Sequence, residues 1–83
     1  MQELNRVFSL ALREKLIEKV VGKVSVRIQN DSISVWIDCY TDIRFRYRID
    51  NFADKIYNGY TTDYATYEVL QAYKKYLFSS FLR

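Results

Sequence analysis

Apolar and polar residues alternate between Val24 and Ile49, and the alternation divides this segment into three β-strands with two unlike faces. Val24, Val26, Ile28, Ile33, Val35, Ile37, Cys39, Ile43, Phe45, Tyr47 and Ile49 fall on one face. Ser25, Arg27, Ser34, Trp36, Asp38, Tyr40, Arg44, Arg46 and Arg48 fall on the other. The first face needs a core, and the second sets four arginines and two aromatic rings on a surface open to solvent.

The strands predict their own register. With Asn30-Asp31 as a two-residue turn, Ile28 meets Ile33, Val26 meets Val35 and Val24 meets Ile37, apolar against apolar each time. A three-residue loop, Tyr40-Thr41-Asp42, pairs Cys39 with Ile43, Ile37 with Phe45, Val35 with Tyr47 and Ile33 with Ile49. A two-residue loop there would set Ile37 against Arg46 and mix the faces. On the polar face the same register places Asp38 opposite Arg44, Trp36 opposite Arg46 and Ser34 opposite Arg48.

Residues 2–21 carry helix formers without proline, and Gly22 stands where a C-terminal cap belongs. Leu4, Val7, Leu10, Ala11, Ile17 and Val21 make a stripe at three-four spacing, read here as the core stripe. Phe8, Leu12, Leu16 and Val20 recur every four residues beside it. This second stripe exceeds what one sheet needs, so either both stripes are core, wedged between the sheet and the last helix, or a second copy of the chain in a homodimer or a partner covers one of them; Phe8, Leu12 and Leu16 are expected to touch the last helix or that second copy. Asp50 is expected to cap a short helix over 51–58 that ends at Gly59. Thr61 or Thr62 caps a longer helix running to about Leu82, with Ala65, Val69, Leu70, Ala72, Tyr73, Tyr76, Leu77 and Phe81 inward and Glu68, Gln71, Lys74 and Lys75 outward. The order is α-β-β-β-α(short)-α. This is an α+β, two-layer fold, a three-stranded antiparallel sheet with helices on one face, in a single domain over 1–83.

Fourteen aromatic residues supply large buried areas to a chain too short for a thick core. The net charge of +3 permits nucleic-acid binding without requiring it. One cysteine excludes an internal disulfide framework, no leader is visible and no apolar run is long enough to span a membrane. The expected setting is therefore the cytoplasm.

The chain has no histidine, and its one cysteine falls on the apolar face of a strand. Zinc-ligand spacing and glycine-rich phosphate loops are absent, and the aspartates lie near turns and caps. The residues point to a binder, with no catalytic residues, metal or cofactor expected. Arg27, Trp36, Tyr40, Arg44, Arg46 and Arg48 are its candidate partner-binding residues. Rings could stack on bases while guanidinium groups meet phosphates, as in single-strand nucleic-acid binding. The same residue types dominate protein-protein hot spots, and alternating arginines also occur on ordinary solvated strands. Double-stranded RNA-binding domains share the α-β-β-β-α order. They carry a basic cluster at the start of the second helix, where this chain has Thr61-Thr62-Asp63-Tyr64.

The segment Ile49-Asp50-Asn51-Phe52-Ala53-Asp54-Lys55-Ile56-Tyr57-Asn58-Gly59-Tyr60, followed by Tyr73-Lys74-Lys75-Tyr76, resembles small proteins of phages and mobile elements in low-GC Gram-positive bacteria. Among these, some anti-CRISPR proteins acting on type II effectors are similar in size and element order. The resemblance implies a non-enzymatic inhibitor that binds a host defence protein in the bacterial cytoplasm, such as a CRISPR effector nuclease or its guide RNA. The best-known members with this topology are acidic, whereas this sheet face is basic, so the resemblance assigns no residue a role. The alternative is a small nucleic-acid-binding protein using the basic, aromatic sheet face.

Overall fold

A computed structural model describes residues 2–40 and 43–81, excluding the side chains of Gln2, Tyr40 and Phe81. The elements are α1 (Gln2–Lys19), β1 (Lys23–Gln29), β2 (Ser32–Tyr40), β3 (Ile43–Asp50), α2 (Phe52–Tyr57) and α3 (Thr62–Phe81). The strands form one antiparallel sheet in the order β1-β2-β3. α1 packs over β1 and against α3, and α3 packs over β3. The expected α+β order and two-layer arrangement are present.

The first hairpin has the predicted register, with Val24, Val26 and Ile28 opposite Ile37, Val35 and Ile33. Asn30 takes the turn's positive φ, 53°. In the second hairpin, Ile33, Val35 and Ile37 oppose Ile49, Tyr47 and Phe45 as expected. Its closure differs: Tyr40 pairs with Ile43, and a bulge between Asp38 and Tyr40 takes up the extra residue. A bulge sets two residues against one. It therefore preserves the faces without the three-residue loop expected at Tyr40-Thr41-Asp42, of which Thr41 and Asp42 lie outside the described residues.

The largest correction concerns α1. Phe8, Leu12 and Leu16 are buried within the single chain, Leu12 and Leu16 completely. Leu4, Val7, Leu10, Ile17 and Val21 face solvent. The three-four stripe therefore lacks the core role expected of it, whereas the four-residue stripe joins Ala65, Val69 and Tyr73 of α3 in one core, the first of its two expected outcomes. Glu3 and Glu14 continue the 7-10-17-21 series at the same spacing, and turning that stripe inward would bury carboxylates without partners. The four-residue stripe carries no charge and brings a phenylalanine and two leucines to the core. Phe8 stacks on Tyr60 at 5.9 Å between ring centroids. These three residues meet this chain's own elements, so they are not surfaces for a second copy.

The end of α1 and the start of α2 also differ from expectation. α1 ends at Lys19, and Gly22 has φ +139° where the chain enters β1. A Cβ at Gly22 would lie 2.5 Å from the Asp38 carbonyl oxygen, so close backbone approach and backbone conformation both call for glycine. α2 begins after Asn51, which is left-handed (φ 54°) and makes no side-chain cap. The cap comes from the first hairpin. The Asp31 carbonyl accepts from the Phe52 N–H at 3.3 Å, and its Oδ1 accepts from the Ala53 N–H at 3.2 Å. Asp50, expected to cap this helix, instead accepts from Ser32 and Arg48. Phe52 is fully buried and anchors the short helix in the core. Thr61 caps α3, its Oγ1 accepting from the Tyr64 N–H at 3.1 Å. In α3, Ala65, Val69 and Tyr73 are buried, while Leu70, Ala72, Tyr76 and Leu77 pack at the core margin. The side chain of Phe81 lies outside the described residues, as does Leu82.

Candidate partner-binding surface

The helices cover only the apolar face of the sheet, so the Arg-rich face is open. Its arrangement follows from cross-strand pairing. Asp38 lies opposite Arg44, whose Nε donates to Asp38 Oδ1 at 2.7 Å and whose Nη2 reaches Oδ2 at 3.4 Å. Arg48 Nε donates to Asp50 Oδ1 at 2.7 Å, and the Ser32 hydroxyl donates to the same oxygen at 2.8 Å. Between these pairs, the Arg46 guanidinium lies over the Trp36 ring, 5.7 Å from its centroid, in cation–π geometry. Trp36 is half-buried, and Arg27, Arg44, Arg46 and Arg48 are exposed.

Ser34 is only 2 % exposed although it belongs to the outer face. It sits on the central strand with Arg27 on one side and Arg48 on the other. Long arginine stems cover a small residue between them while their charged ends stay in water. The face is thus closed over Ser34 at its centre, while the arginines themselves stay exposed.

The hydrogen bond from Arg44 holds the Asp38 carboxyl below the usual carboxylate range. Asp50 is lowered likewise, first by the Ser32 hydroxyl and then by Arg48. Both remain charged to lower pH than a free aspartate. The stability they lend is present above the ordinary carboxylate range and is lost as pH falls through their lowered values.

The balance of the face is decidedly positive. Lys23, Arg27, Arg44, Arg46 and Arg48 stand against Asp38 and Asp50, an excess of three cations. The whole chain carries +3, so all other residues together are neutral. Lys23 and Asp50 belong to this face but lay just beyond the alternation used to assign it.

Five of the six expected partner-binding residues, Arg27, Trp36, Arg44, Arg46 and Arg48, lie together on this face. The sixth, Tyr40, is paired through its backbone with Ile43, and its expected stacking role lies outside the described residues.

A second cluster was not legible in the sequence. Glu68, read as outward and polar, accepts a hydrogen bond from the Tyr60 hydroxyl at 3.0 Å through Oε1 and one from the Tyr47 hydroxyl through Oε2. Burial, and then Glu68, push the Tyr47 phenol up to about 12, and the same causes raise Tyr60. The tyrosines come from β3 and the α2–α3 connection, and only folding brings them to Glu68. Among the described residues, no group of three or more Cys, Asp or Glu is placed to hold a metal ion, and no helix is long and apolar enough to cross a membrane.

No protein-family model, curated protein or solved structure matches this chain.

Proposed function

We propose that this protein is a binder, not an enzyme, and that its outer sheet face engages an anionic macromolecular partner. One observation carries this reading: that face holds five cations, Lys23, Arg27, Arg44, Arg46 and Arg48, against two anions, Asp38 and Asp50. A field of one sign steers and holds a partner of the other. Trp36 beneath Arg46 supplies an aromatic and guanidinium pair of the kind that dominates hot spots. The absence of histidine and the apolar-face position of half-buried Cys39 leave little for acid-base or nucleophilic chemistry.

The first reading is a cytoplasmic inhibitor from a phage or mobile element. It binds a host defence protein, with a type II CRISPR nuclease as the specific case, and the basic face meets guide RNA or an acidic protein patch. The support is the resemblance of the closing segment together with the basic face. The second is a protein that binds single-stranded nucleic acid directly. It is favoured by Trp36 among arginines and needs Arg46 to leave the ring so that a base can stack there.

The test is the triple variant Arg44→Glu, Arg46→Glu, Arg48→Glu. Each change removes two charges, so the variant carries −3 in place of +3. Under the inhibitor reading, wild type suppresses cleavage by a type II CRISPR nuclease, the variant does not, and free oligonucleotide binds weakly. Under the nucleic-acid reading, oligonucleotide affinity falls steeply with salt and the variant flattens the slope. Full activity of the variant in both assays would remove the sheet face from consideration.

A further inference from the structure

Beside α2 lies a cleft of about 770 Å³ lined by Asn51, Asp54, Lys55, Asn58, Tyr60, Tyr64 and Glu68, among others. The Glu68 carboxylate is half-buried there and has no basic partner among the described residues; its two hydrogen bonds come from neutral phenols, Tyr47 and Tyr60. A carboxylate accepts about four hydrogen bonds, so two acceptor positions remain. Tyr60 and Tyr64 stand edge to face with centroids 5.5 Å apart, and Tyr64 is largely exposed. Lys55 Nζ lies over the Tyr60 ring, 5.9 Å from its centroid. The cleft therefore combines a negative charge, aromatic walls and an internal cation resting at its edge.

From this geometry we infer that the cleft takes the cationic end of a basic side chain, an arginine or lysine of a partner polypeptide, with Lys55 as the internal competitor. The ring faces attract the cation, and the free positions on Glu68 accept its N–H groups. Phenol donors hold Glu68 in place without neutralising it, so the carboxylate stays available to a ligand. The cleft is broad and open to solvent. Asn51, Asn58 and Thr61 around it supply amide and hydroxyl groups suited to a peptide backbone, which favours a side chain over a free small cation. The site draws on Glu68 and rings on the helical side of the sheet, so it is separate from the proposed basic face and does not depend on it.

The probe is a capped Gly-Arg-Gly peptide, titrated into the full-length protein while the ring resonances of Tyr60 and Tyr64 are followed by NMR. The arginine peptide is expected to shift these resonances saturably, and the same peptide with citrulline, neutral and nearly isosteric, to leave them unmoved. Lys55→Ala should tighten binding several-fold, and Tyr64→Leu should weaken it by about tenfold while leaving the Glu68 hydrogen bonds in place. Glu68→Gln should abolish it; Tyr64→Leu provides the decisive arm if that variant fails to fold. Equal shifts from arginine and citrulline peptides, no shifts at all, or unchanged binding in Tyr64→Leu would overturn the inference. Methylguanidinium binding as tightly as the peptide would overturn the assignment to a polypeptide.

Discussion

Asp31 shows how one residue can join two parts of the molecule. It sits in the first hairpin turn, yet its carbonyl and carboxylate receive the first N–H groups of α2. Asp31→Ala is expected to cost about 1 kcal/mol, the usual worth of a helix cap, measured by urea denaturation. Asp50→Ala should leave α2 intact, because Asp50 bonds to Ser32 and Arg48. Glu68 makes the second residue-scale prediction. The raised Tyr47 phenol, at about 12 against an ordinary value of 10.0, means that the folded state keeps its proton to higher pH than the unfolded chain. Its contribution is complete below the ordinary value and is lost as pH rises through the raised one. Stability should therefore decline between about pH 10 and pH 12. Because burial is the larger cause, Glu68→Gln should lower the tyrosinate midpoint only part of the way, as read by ultraviolet absorbance.

At the scale of the element, α1 separates two stripes of similar hydrophobicity into one core face and one exposed face. Leu12→Ala should destabilise the protein by about 2–5 kcal/mol through lost burial and a residual cavity. Leu10→Ala, at a position 51 % exposed, should change stability by about 0.5 kcal/mol or less. Equal costs at both sites in thermal or urea unfolding would contradict the observed rotation of the helix. Gly22 sets the exit from α1. Gly22→Ala should be destabilising by more than about 1 kcal/mol, since it combines an unfavourable φ with a Cβ 2.5 Å from the Asp38 carbonyl. Alternation and four-residue spacing were enough to locate these elements. They did not orient α1, because apolar content alone favours either stripe. Glu3 and Glu14 carried the missing signal, since burying them would strip two carboxylates of water.

Across the whole molecule, charge and apolar burial are divided between two layers. The open sheet face holds five cations against two anions, an excess of three, while the helices cover the opposite, apolar face. The cation–π pair belongs to this scale because it links Trp36 of β2 to Arg46 of β3 on that face. Arg46→Ala should uncover the indole, shifting tryptophan fluorescence to the red and increasing quenching by iodide. Its stability cost should stay near about 0.5 kcal/mol, as for other surface changes. An unchanged emission spectrum would show that Arg46 does not cover the ring in solution. Since Trp36 is the chain's single tryptophan, the same signal also reports directly on partner binding.

The sequence by itself determined the strands, their register up to the second turn, and the grouping of Arg27, Trp36, Arg44, Arg46 and Arg48. Strand periodicity is strictly two, so a one-residue slip would have put arginines in the core. That constraint is local and strong, and it reaches from Val24 to Ile49. Tertiary structure decided which stripe of α1 is buried, where the second hairpin bulges, that Asp31 caps α2, and that Glu68 gathers Tyr47 and Tyr60. Each of these depends on groups distant in sequence meeting across elements, Tyr47 and Glu68 being 21 residues apart. No periodicity within one element encodes such a meeting. It arises when the sheet, α2 and α3 pack together and each buried polar group must find a partner.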